Sequence, residues 1–149
     1  MTRKIIPDVV REQKIREVLP SESVLDAVKM MATHRIGALL IIQNGKLQGI
    51  FTERDVCTKV VAQGRDPAKT KLADVMTKDV EHIRPDQTAM DALNLMRERN
   101  FRHLPVMDGD RILGIVSVRD LYACCQTELE DELHNRDEFI FGVGYGGSN

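Results

Sequence analysis

Two stretches of the chain carry residue types whose spacing could do chemistry: Gly49-Ile50-Phe51-Thr52-Glu53-Arg54-Asp55 and Gly114-Ile115-Val116-Ser117-Val118-Arg119-Asp120. Both read G-x-x-[ST]-x-x-D. A Ser or Thr followed three residues later by an acid resembles a capping box, which satisfies free amides at a helix start and does nothing more. The same residues also admit binding. The Gly lets a ligand or another backbone approach closely, and a helix N-terminus favours an anion through its free amides and dipole. The carboxylate could accept both hydroxyls of a ribose. Both readings stand on the motif alone.

Other reactive constellations are missing from the sequence. There is no G-x-x-x-x-G-K-[ST] phosphate loop, no nucleophile elbow and no zinc-ligand cluster, which argues against a nucleotide hydrolase or kinase using Asp55 or Asp120 as base. The three cysteines, Cys57, Cys124 and Cys125, are odd in number and lack CxxC spacing, and the four histidines make no ligand set with them. They read as reduced structural thiols, and no metal site is expected.

The elements that position the two motifs repeat as well. A constant shift of 65 positions aligns the halves without a gap, pairing Pro20 with Pro85, Asp26 with Asp91, Met31 with Met96, Gly49 with Gly114 and Asp55 with Asp120. Such a register means an internal duplication. Ser23 and Thr88 stand as N-caps before helices over Val24 to His34 and Ala89 to Arg99. Short apolar runs follow at Ala38 to Ile42 and Leu47 to Phe51, and at Leu104 to Met107 and Ile112 to Val116. Asn44-Gly45 and Asp108-Gly109 lie between them as hairpin turns. A second helix starts near Thr52 or Ser117. Val10 matches Val75, Ile15 matches Val80 and Val18 matches Ile83, so each repeat is expected to include its own short lead-in strand.

The expected fold is therefore α+β, two strand-helix-strand-strand-helix units packed through their sheets into one pseudo-twofold module. Each unit alone would expose an apolar sheet face. The expected boundaries are residues 8–62 for the first repeat, 63–72 for a solvated linker, 73–126 for the second repeat and 127–149 for a tail. Met30, Met31, Leu95 and Met96 read as core, with some lining a homodimer interface. The tail turns from acidic helix-like sequence into the Gly- and aromatic-rich Phe139 to Gly147, for which simple mobility is the plainest expectation.

Composition limits the partners. With 42% hydrophobic and 30% charged residues, and 23 acids against 21 bases for a net charge of −2, the chain reads as an ordinary globular domain. The charge balance argues against nucleic acid as a partner. No apolar run approaches a bilayer span and Met1 to Val10 carries no signal-peptide core, so no membrane association and a cytoplasmic location are expected.

In order, spacing and motif, residues from Val10 to Cys125 resemble a tandem pair of CBS domains, named after cystathionine beta-synthase. The resemblance rests on the duplicated register, on Arg102-His103-Leu104-Pro105-Val106 and on both terminal motifs together. It implies a stand-alone regulatory module, assembled as a homodimer, that binds AMP, ADP, ATP, NAD(H) or S-adenosylmethionine in two clefts and signals to a protein effector. Two other classes remain: a constitutive interaction scaffold with vestigial pockets, and a nucleotide-processing enzyme.

The resemblance also implies chimeric pockets. One would use Asp120 for the ribose, Ser117 and Arg119 near phosphates, Ile115 and His103 along the wall, and Ile36 with Ala27 from the first repeat. The other would use Asp55, Thr52 and Arg54 with Ile50 and Ala38, plus Phe101 and Ala92 from the second repeat. Arg102 and His103 replace Gly37 and Ala38, so the Asp120 pocket is expected to have the greater cationic reach and the tighter binding. Against this, Glu22 would serve that pocket where Gln87 serves the other, and a carboxylate could repel phosphate.

Overall fold

The computed structural model describes residues 3–137. The elements, in chain order, are α1 (Val24–His34), β1 (Ala38–Gln43), β2 (Lys46–Thr52), α2 (Glu53–Asp55, continued by a π-helical turn Val56–Val61), α3 (Leu72–Val75), α4 (Ala89–Arg99), β3 (His103–Asp108), β4 (Arg111–Ser117) and α5 (Val118–Asp137). A short π-helical turn, Ile5–Val9, precedes them. The fold is α+β.

Helix starts and stops follow from local chemistry. Ser23 Oγ accepts from the Asp26 amide at 3.1 Å, and Thr88 with Asp91 forms a full capping box. Both first helices end on a left-handed residue, Arg35 or Asn100, which terminates the helical hydrogen bonding.

Each repeat holds an antiparallel hairpin, β1 with β2 and β3 with β4. Val18 and Ile83 add parallel bridges to Ile41 and Val106 at the far edge of each. The first turn is Asn44-Gly45, both at positive φ, as a type I′ hairpin requires. The second turn is not Asp108-Gly109. Asp108 still pairs with Arg111 in the ladder, so the turn residues are Gly109 and Asp110, with positive φ at Gly109 alone.

Alternation along β1 distributes its side chains to two cores. Leu39 and Ile41 join Val24, Ala27, Met31 and Phe51 beneath α1, whereas Ala38, Leu40 and Ile42 face Ile112 and Ile115 of the other repeat. Both faces are buried, which explains the unbroken apolar run. The second repeat has its own core around Leu104, Val106, Val116 and Leu121.

Val18 and Ile83 thus pair with the repeats they precede, but the outer parts of the lead-in segments do not. Residues 3–13 cross to the second repeat: the Ile5 amide donates to the Gln87 carbonyl at 2.9 Å and the Ala89 amide to the Arg3 carbonyl at 2.9 Å, and Ile5 is fully buried in that core. Reciprocally, Leu72 and Val75 of α3 lie in the core of the first repeat, and Thr77 pairs with Ile50 in both directions at 3.0 and 2.9 Å. The arms are exchanged. Pseudo-twofold symmetry makes each arm the equivalent of the other, so sequence periodicity is the same for either docking.

The exchange explains the motif glycines. A Cβ on Gly49 would lie 2.7 Å from the Thr77 carbonyl oxygen, while one on Gly114 would meet only the flexible end of Gln13, at 2.9 Å. It is a neighbouring segment that needs each glycine. Gly49→Ala is expected to destabilise by about 1–3 kcal/mol through overpacking, and Gly114→Ala by less; urea denaturation of both variants checks the order.

Within the described residues, the final helix runs unbroken to Asp137, so the expected boundary at 127 is not a structural break. Arg3 ties it to the N-terminal arm through Asp131 at 2.9 Å. Phe139 to Gly147 lie outside the described residues. No described helix is long and apolar enough to cross a membrane.

Candidate functional site

The acids of the two motifs sit where a strand passes into a helix. Thr52 Oγ1 accepts from the Asp55 amide at 3.3 Å, and Asp55 Oδ2 accepts from the Thr52 amide at 2.9 Å. Ser117 and Asp120 repeat this at 3.1 and 2.8 Å, with the Ser117 hydroxyl also donating to Asp120 Oδ2 at 2.9 Å. Both motifs are therefore capping boxes. Each box uses one oxygen of the carboxylate and leaves the other available for a ligand or a counter-ion.

Two clefts flank these caps, each lined from both repeats. The Asp55 cleft, about 580 Å³, brings together Ile50, Thr52, Arg54, Asp55, Phe101, Arg102 and His103. The Asp120 cleft, about 1040 Å³, brings together Ile36, Ala38, Arg102, His103, Ile115, Ser117, Arg119 and Asp120. Both volumes suit a small-molecule ligand.

Five expected placements are corrected. Ala38 lines the Asp120 cleft with Ile36, not the Asp55 cleft; Phe101, the pseudo-equivalent of Ile36, lines the Asp55 cleft, so these two positions face the acid of the opposite repeat, while Gly37, Arg102 and His103 reach both clefts. Ala27 and Ala92 line neither. They share the buried helix stripes of Val24 and Met31, and of Ala89 and Met96, which face their own sheets. Glu22 and Gln87 are also withdrawn from the clefts: each side chain closes a turn, accepting from the Leu19 amide at 2.6 Å and the Arg84 amide at 2.9 Å.

Several lining residues carry no motif signal. Gln13, Val28, Met31 and Arg35 line the Asp120 cleft, and Thr77, Asp79, Val80 and Glu81 line the other. The arm residues among them are present only because the arms cross. Gln13 imitates a strand with its carboxamide: Ile115 donates to Oε1 and accepts from Nε2, both at 3.1 Å, where Thr77 uses its backbone on Ile50.

Charge separates the clefts. Around Asp55 the carboxylates of Glu53, Asp55, Asp79 and Glu81 oppose Arg54, Arg99 and Arg102. Around Asp120 only Glu53 and Asp120 oppose Arg35, Arg102 and Arg119. Arg102 and His103 belong to both clefts and so do not give the Asp120 cleft the greater cationic reach expected of them; with three arginines lining each, its cationic excess comes from the smaller number of acids. Arg54 is further committed to the Asn100 carbonyl at 3.0 Å.

His103 lies on the wall shared by the clefts. Burial pushes its pKa below the ordinary 6.5, with Arg102 acting the same way and Glu53 and Asp120 opposing. A depressed histidine pKa means the unfolded chain takes up the proton first. Stability from the neutral ring is therefore present above pH 6.5 and is lost as pH falls through 6.5 toward the folded-state value. Wild-type protein should lose stability more steeply than His103→Gln between about pH 7 and 5, as read from urea midpoints.

Among the thiols, Cys124 is buried, and burial raises its pKa, while Cys57 is exposed. No group of three or more metal-ligating side chains occurs among the described residues.

Comparison with known proteins follows the same division of the chain. The CBS domain family model matches residues 1–62 and 72–125. The chain is 36% identical over 129 residues to the CBS domain-containing protein CBSX3, mitochondrial, of Arabidopsis thaliana, covering 83% of this chain and 62% of that one. It thus spans under two thirds of that relative's length. A solved structure of a protein with CBS domains from Burkholderia ambifaria MC40-6 is 40% identical with a TM-score of 0.72, covering 74% of this chain and 82% of its own. The CBS domain pair of protein MJ0100, solved in complex with 5′-methylthioadenosine and S-adenosyl-L-methionine, is 27% identical with a TM-score of 0.71, covering 78% and 91%. Duplicated register, fold and family match agree that the chain belongs to the CBS domain family, as a tandem pair.

Proposed function

We propose that this CBS pair is a regulatory module that binds an adenosyl ligand in the Asp120 cleft and transmits occupancy to a protein effector. One observation carries the reading: Asp120 Oδ1 has no partner among the described residues, while its other oxygen is held by the cap. A fixed, half-buried carboxylate oxygen is suited to a ribose hydroxyl. Apolar Val28, Met31, Ile36 and Ile115 offer surfaces for a base, and Arg35, Arg102 and Arg119 offer cations for phosphates or another charged group. The adenosyl ligands of the MJ0100 pair support the chemical class.

The reading extends to AMP, ADP, ATP, NAD(H) and S-adenosylmethionine as candidate ligands, and to a cytoplasmic homodimer as the working form. A ligand can switch the module only by favouring one arrangement of its parts. A thermal-shift panel of these ligands tests binding, since ligand at about 100 times its Kd adds roughly 2.7 kcal/mol to the native state. A raised midpoint with recovery of intact nucleotide supports a binding module. No shift with any member rejects it in favour of a scaffold, and conversion of ATP would indicate an enzyme.

A further inference from the structure

We propose that Lys59 ranks the two clefts: its ammonium occupies Asp55 as an internal counter-ion, leaving Asp120 as the stronger acceptor for an adenosyl ligand's sugar. This deepens the function proposed above and rests on it. Lys59 Nζ lies 3.3 Å from Asp55 Oδ1 and donates to Thr77 Oγ1 at 3.1 Å. Asp55 and Thr77 both line the smaller cleft, so the ammonium is held between two parts of its wall.

Both oxygens of Asp55 are consequently engaged, Oδ2 by the Thr52 amide and Oδ1 by Lys59. Asp55 is also the more buried acid, its side chain 11% exposed against 39% for Lys59, so the ammonium covers it from the solvent side. The second repeat lacks this device. The shift of 65 places Cys124 opposite Lys59 and Glu12 opposite Thr77, and neither can donate an ammonium proton to Asp120. The exchanged arm contributes directly, because Thr77 helps to hold the ammonium in place.

A sugar entering the Asp55 cleft must share or displace Lys59. Its hydroxyls meet a carboxylate whose charge is already compensated, which lowers the gain from a charge-assisted hydrogen bond toward that of a neutral one. Lys59 and Asp55 are four residues apart on one helical segment, so the pair forms locally.

The test measures 5′-methylthioadenosine binding by titration calorimetry. This probe has no phosphate for the ammonium to attract, so the readout isolates the sugar contact. In an Asp120→Asn background, adding Lys59→Met should tighten the remaining cleft by about threefold or more, whereas Lys59→Arg should leave it near the parent. Unchanged or weaker binding on Lys59→Met overturns the ranking role. If wild-type protein binds neither this probe nor any adenosyl ligand of the thermal panel, the underlying reading fails instead.

Discussion

Asp120→Asn is expected to weaken adenosyl-ligand binding in the larger cleft by about ten- to a hundredfold while leaving the fold intact, because it removes the charge but keeps the cap. The amide oxygen of Asn can still accept from the Ser117 amide, which Asp120 Oδ2 holds at 2.8 Å. What is lost is the charge-assisted hydrogen bond that a ligand hydroxyl would donate to Oδ1. Asp120→Ala is the less informative variant: it also deletes one arm of the capping box and should cost about 0.5–2 kcal/mol of stability. Titration calorimetry on Asp120→Asn, beside urea denaturation of both variants, separates the two effects. Unaltered affinity in Asp120→Asn would remove Asp120 from the site.

A second large effect is expected far from either cleft. Ile5 lies in the first of the two matched regions, yet it is fully buried in the core of the second repeat. Ile5→Ala should therefore destabilise by about 2–5 kcal/mol, a cost typical of truncating a core aliphatic and a sizeable part of a total that is commonly 5–15 kcal/mol. Ile36→Ala is the matched control, since Ile36 is 43% exposed and should cost far less. Urea midpoints at unchanged slope would show the difference. A near-silent Ile5→Ala would mean that the N-terminal arm is not a structural element of the folded protein.

The two effects mark where sequence reasoning succeeds and where it stops. The bounds of α1 and α4 were legible from Ser23, Thr88 and the apolar spacing that follows them, because helix starts are set by local hydrogen bonds. The hairpins were legible too, but the second turn was displaced by one residue. Asp108-Gly109 satisfies the dipeptide rule, whereas the ladder keeps Asp108 and the duplicated register equates Gly109 with Asn44.

At the site, the motif residues and the stretches around Ile36 and Phe101 meet across the clefts. Ala27 and Ala92 fail because a small residue on a helix suits close packing against its own sheet as well as a ligand, and periodicity alone does not separate these uses. The arms were illegible for a different reason. Val10 and Val75 align in the duplication whichever sheet each segment covers, so only the three-dimensional path decides that Gln13 and Thr77 enter the clefts.

The exchanged arms also bear on how the pair holds together. Separated at residues 63–71, each half would carry an arm shaped for the other and a bare patch awaiting one. Two copies of a single ancestral half could satisfy both needs only by trading arms across a twofold axis, as in a domain-swapped dimer. Joined in one chain, the halves meet within a molecule instead of between molecules, which raises the effective concentration of each for its complement. The connector is then a tether that keeps each arm within reach of the sheet it covers.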